Sequence, residues 1–118
     1  RRWVYASFFN RVKREVAARW KPGDIYKAND PSGKVYGYRN RVTELRLTVD
    51  RRGKLVHINV LKESGLPFLD NEAKRAFREA APFRNTPQGL IRAGKDTFSF
   101  SFGFHFHLSR TPQLFRLN

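Results

Sequence analysis

From Phe98 to Phe106 the chain places a phenylalanine at every second position, with Ser99, Ser101, Gly103 and His105 between them. Side chains of a strand alternate faces, so this spacing predicts a strand with one aromatic side and one polar side. We place that strand at Asp96 to Leu108. Val42 to Val49 also alternates, with Leu45, Leu47 and Val49 opposed to Glu44, Arg46 and Thr48. Asp50-Arg51-Arg52-Gly53 supplies a turn in which Gly53 is free to take positive φ. Lys54 to Lys62 then sets Val56, Ile58 and Val60 against His57 and Asn59, which completes a hairpin.

Two segments carry helical spacing instead. Tyr5, Phe8, Phe9, Val12, Val16 and Trp20 recur at steps of three and four, so residues 5–20 read as an amphipathic helix that Pro22 and Gly23 end. Asp24 to Asn40, rich in Gly, Pro and Asn, reads as a loop. A second helix spans about Leu69 to Ala80, with Leu69, Ala73, Ala76, Phe77 and Ala80 inward and Pro82 beyond its end; Asp70 serves as its N-cap unless Pro67 starts the helix earlier. Phe83 to Gly94 is an irregular connection. Leu114 and Phe115 leave the tail undecided between packing back and fraying.

The order helix-strand-strand-helix-strand implies an α+β fold. A three-stranded antiparallel or mixed sheet buries its apolar face under both helices, as a two-layer sandwich. Placing the third strand beside the first gives the order 2-1-3 and leaves the third strand at an edge. We expect one domain over residues 1–118, with a core of about 5–108 and a tail of 109–118.

Composition adds charge. The 118 residues include 24 Lys/Arg and 10 Asp/Glu, a formal net charge of +14. Such an excess attracts anionic surfaces, whether nucleic acid, lipid headgroups, an acidic polymer or an acidic protein. Arg39, Arg41, Arg46, Arg51 and Arg52, with Lys13, Arg14 and Lys54, form a candidate basic patch. The chain has no Cys, which excludes disulfides, thiolate nucleophiles and Cys-based zinc sites. No stretch approaches the roughly 20 apolar residues of a membrane span. The chain begins at Arg1 rather than Met, so we expect a piece of a longer protein with any anchor outside it.

Catalytic chemistry finds no footing in these residues. Ser64 and Ser99 lie in no nucleophile elbow, and no G-x-x-x-x-G-K phosphate loop is present. Glu15, Glu72 and Glu79 sit among arginines and lysines at helical pairing distance. His105 and His107 share a strand face and could place two imidazoles on a metal, but a zinc site needs a third protein ligand. They read as surface polar residues. The expectation is a non-enzymatic chain with no metal and no cofactor.

Several segments together resemble a known family. They are Tyr5 through Trp20-Lys21-Pro22; the hairpin Leu45-Arg-Leu-Thr-Val-Asp50-Arg-Arg-Gly53-Lys-Leu55; Ser64-Gly65-Leu66-Pro67-Phe68-Leu69-Asp70; Glu72-Ala73; and Ala81-Pro82-Phe83. This set is similar to the C-terminal domain of the TonB/TolA energy transducers. The resemblance runs from about Tyr5 to Phe106, and its specific part is Asp50 to Phe83. It implies a periplasmic binding module, tethered to an inner-membrane anchor and motor complex. Its partners would be envelope or outer-membrane proteins, engaged through an extended segment added to the last strand. By position, the partner-binding edge falls on Thr97, Ser99, Ser101, Gly103, His105 and His107, with Arg110 at its flank. Strand exchange at the same edge would make a homodimer. The alternative is a basic module for nucleic acid or another polyanion. The chain departs from the family in its long loop before the first strand, a polar connection at Arg84 to Lys95, and the residues after Leu108.

Overall fold

The computed structural model describes residues 2–37, 39–107 and 112–117. Helices α1 (Arg2–Arg19) and α2 (Pro22–Asn29) precede strands β1 (Arg41–Asp50) and β2 (Leu55–Lys62). Helix α3 (Pro67–Ala80), a 3-10 turn at Gln88–Leu90, and strands β3 (Thr97–Phe106) and β4 (Gln113–Leu117) follow. The strands form one antiparallel sheet in the order β2-β1-β3-β4. β1 pairs with β3 without a register shift from Arg41 opposite Phe106 to Asp50 opposite Thr97. β2 and β3 therefore run the same way on either side of β1, and α3 makes the crossover between them.

The α+β class and the placement of β3 beside β1 agree with the sequence reading. Leu45, Leu47 and Val49 lie opposite Phe102, Phe100 and Phe98, and all six are buried. Each phenylalanine of β3 meets an aromatic ring from the helical layer. Phe98 faces Phe8 at 6.1 Å and Phe100 faces Phe9 at 5.3 Å, both from α1. Phe102 meets Phe77 of α3 at 5.7 Å, Phe104 meets Trp20 at 5.2 Å, and Phe106 meets Tyr26 of α2 at 5.4 Å. Edge-to-face and tilted pairs of this kind each add about 0.5–1.5 kcal/mol beyond the area they bury.

Three expectations are corrected. The sheet has four strands, because the tail adds β4 beside β3; the third strand is interior where β4 lies. The stretch read as a loop from Asp24 begins inside α2. Pro22 occupies the first helical turn, where a missing N–H costs nothing, so the proline that stops α1 also starts α2. α2 carries Tyr26 over Phe106, beyond the reach of α1 and α3. The Tyr26 hydroxyl donates to the Gly37 carbonyl at 2.5 Å, and the buried Asp30 carboxylate accepts from the backbone of Tyr36 at 2.8 Å, which folds the rest of that stretch. Finally, Asp70 is not the cap of α3: Leu66 holds that position, without a side-chain bond. The Asp70 carboxylate accepts instead from Thr43 Oγ1 at 2.6 Å and from the Ser64 backbone at 3.1 Å, tying α3 to β1 and to its own entry loop.

A polar clamp fixes α1 against α3. Glu72, buried on α3, accepts from the Lys21 backbone at 2.9 Å and from Arg75 Nε and Nη2 at 2.7 Å each. Arg75 also donates to the Arg19 carbonyl at 2.6 Å and pairs with Glu79. Burial pushes the Glu72 carboxyl up, but the hydrogen bonds and positive charges of Arg75 and Lys21 outweigh it and hold the carboxyl below its usual value. The β1–β2 turn is fixed as tightly. Gly53 has φ +78°, its carbonyl accepts from the Phe83 N–H at 2.9 Å, and a Cβ there would lie 1.8 Å from the Phe83 oxygen.

Gly53→Ala is expected to destabilise the fold by about 3 kcal/mol, combining a strained φ with a backbone clash; urea unfolding measures it. A carboxyl with a depressed folded pKa stabilises above its unfolded value and loses that contribution as pH falls through the folded one. Glu72→Gln should therefore be less stable than the native chain at neutral pH, with the gap closing as pH drops below the usual 4.5, followed by thermal unfolding across pH.

Candidate partner-binding edges

The sheet face away from the helices carries Glu44, Arg46 and Thr48 of β1 beside Ser101, Ser99 and neighbouring positions of β3. The hydroxyls of Thr48 and Ser99 are 2.8 Å apart. His105 and His107 lie on this face with ring centroids 3.9 Å apart. Among the described residues no group of three His, Cys, Asp or Glu is arranged to hold a metal ion.

β4 changes the expected edge. It pairs with β3 from Ser101 opposite Leu117 to His105 opposite Gln113. The rim of Ser101, Gly103 and His105 is thus occupied by the chain itself, contrary to the expectation of a free third strand. The reason is visible in the alternation of β4. Leu114, opposite Phe104, is buried in the core. Arg116, opposite Phe102, lays its guanidinium 3.7 Å from the centroid of the Phe9 ring on α1, a cation–π contact that ties the strand to the helical layer. Phe115 faces the other way and covers Gly103, where a Cβ would come within 2.5 Å of its ring. The glycine supplies the seat, and the aromatic residue opposite fills the gap it leaves.

What remains of the expected edge is its first part. Among the described strands none pairs with the outer rim of Thr97 to Phe100. Just beyond the end of β4, a hollow of about 250 Å³ is lined by Arg46, Ser99, Phe100, Ser101, Arg116 and Leu117. Among the described residues Thr97 and Ser99 therefore keep an open rim, and Ser101 sits at its end. His107 lies past β3, close to the Asn40 side chain. Arg110 lies outside the described residues.

The proposed basic patch is dispersed. Arg41 is buried, its guanidinium donating to the carbonyls of Ser64 at 3.2 Å and Tyr36 at 3.3 Å. Arg51 bonds to Gln88 at 3.2 Å and to the Lys95 carbonyl at 3.1 Å. Arg39, Arg46 and Arg52 are exposed, but Arg46 is on the open sheet face, whereas Lys13 and Arg14 project from the helical layer opposite. The residue that sequence reasoning missed is Phe115. Its signal was the bare Gly103 in an otherwise filled strand.

The family model described as TonB C terminal matches residues 5–104, and the chain belongs to that family. Domains of this family are periplasmic, non-enzymatic energy-transducer modules that interact with envelope proteins. No curated protein and no solved structure shows significant similarity to the chain. Among the described residues no helix is long and apolar enough to cross a membrane. The matched region ends at residue 104, inside β3, so β4 lies outside it.

Gly103→Val should push the Phe115 ring off its seat and release β4. Hydrogen exchange is expected to speed up at residues 113–117 while the amides bridging β1 and β3 keep their protection.

Proposed function

We propose that this domain is the partner-binding end of a TonB-like transducer. Chain outside residues 1–118 would tether it to an inner-membrane motor complex. It would take an extended segment of an outer-membrane or other envelope protein as an added strand and pass force to that partner. An open strand rim offers unpaired N–H and C=O groups, and an extended peptide satisfies them in register. One observation carries the reading: β3 already holds an added antiparallel strand, β4, and beyond it no strand among the described residues pairs with the rim from Thr97 to Phe100. Arg46 and Arg116 beside that rim favour an acidic residue in the incoming segment. A longer partner strand reaching Gly103 and His105 would have to displace β4, and strand exchange between two copies would require the same.

The polyanion alternative has less support. The phenylalanines that could stack on bases lie under the helices, Arg41 is buried, and the remaining cations are divided between opposite faces.

A photo-cross-linking residue in place of Ser99, in the full-length protein in cells, is expected to capture an envelope protein. The same residue in place of Asn71, exposed on α3, should capture none. Capture from Asn71 with none from Ser99 would refute the rim assignment.

A further inference from the structure

The sheet has a second outer strand, β2, on the side away from β3 and β4. Beside it lies a hollow of about 550 Å³. One wall is Lys54 and the start of β2, Leu55 to Ile58; the other is the end of α3 and the bend after it, Arg78, Ala81 and Pro82. The sequence reading placed Lys54 in the candidate basic patch but assigned this region no partner of its own.

Three properties make it a docking groove. The first is rigidity. The turn that begins β2 is locked to the segment after α3 by the Gly53–Phe83 backbone bond of 2.9 Å, and the two backbones meet with no room for a side chain. The walls are thus held at a set separation before any ligand arrives, which lowers the ordering cost of binding. The second is the mixture of surfaces. Val56 is 57% exposed although it lies on a strand, and Ala81 and Pro82 offer apolar surface across from it. Val56 is also the extra residue where the β1–β2 register shifts, between Thr48 opposite His57 and Val49 opposite Leu55. A bulge of this kind bends the strand locally and leaves the extra residue unpaired with β1. The third is charge. Lys54 and Arg78 stand on opposite walls, His57 lies on the wall of Lys54, and no acidic side chain is among the described residues that line the hollow.

We propose that this groove binds an extended acidic peptide segment, distinct from the strand at the β3 rim. The segment's backbone would lie along the outer rim of β2. Its carboxylates would face Lys54 and Arg78, and a small apolar side chain would rest between Val56 and Pro82. An acidic occupant is favoured over a neutral one because both walls of the hollow carry a cation in a chain of net charge +14. The assignment does not depend on the β3 rim being used.

The test is an amide chemical-shift titration of the domain with a blocked decapeptide of alternating Glu and Val, against the same peptide with Lys for Glu. Expected are shifts at residues 54–58 and 78–82 with the acidic peptide alone, weakening as salt rises from about 0.05 to about 0.5 M. The double variant K54E/R78E should bind at least about tenfold more weakly, on the scale of losing two facing charge contacts. Both side chains are exposed, so its thermal unfolding should match that of the native domain. Equal response to the two peptides, no response, or unchanged affinity in the variant overturns the groove. Shifts at residues 97–101 alone also overturn it, while leaving the β3 rim reading in place.

Discussion

The fold depends on covering one surface: the unbroken aromatic side of β3. Five rings in a row cannot be left in water, since fully burying each is worth about 1.5–3 kcal/mol. The helical layer is arranged to meet them ring by ring. α1 serves Phe98 and Phe100, α3 serves Phe102, Trp20 at the end of α1 serves Phe104, and α2 serves Phe106. The number of helices follows from the length of that surface. A ten-residue strand outruns what two helices can cover, and the short α2 exists to close the far end.

Burial alone would let the helices slide over so uniform a surface, because one phenylalanine resembles the next. The polar contacts remove that freedom. Glu72 binds the end of α1 to α3, and Asp70 binds α3 to β1 through Thr43. Both are buried carboxylates held by specific donors, Glu72 through both oxygens and Asp70 through Oδ1, so each is costly to misplace. Hydrophobic contact sets how much is buried, and these carboxylates set where the layers sit.

Much of this was legible in the chain. The period-two run of β3, the alternation of β1, the Asp50–Gly53 turn and the stripes of α1 and α3 are strict enough to be read directly, and the structure buries the apolar side chains they indicate, Tyr5 only in part. The family was legible too, in the hairpin and the Ser64–Asp70 segment. What escaped had physical reasons. Pro22-Gly23 carries the signal for a helix end and, through its proline, for a helix start; only Tyr26 meeting Phe106 decides between them. β4 has five residues, too few for a pattern, and its adjacent Leu114 and Phe115 point to opposite faces. The candidate edge was misjudged for the same reason. The residues of β3 were identified correctly, but whether a rim is free depends on what pairs with it, and that partner lies outside the periodic part of the chain.

The two flanks of β1 are not built alike. Toward β3 its ladder runs ten residue pairs in one register, whereas toward β2 the register slips twice. Tension applied parallel to the strands through β3 would load the whole continuous ladder in shear, so its bonds would have to yield together. The same pull on β2 would meet a ladder already divided into shorter runs. The molecule thus has a strong side and a weak side under traction, and the strong side is the one that holds the aromatic core.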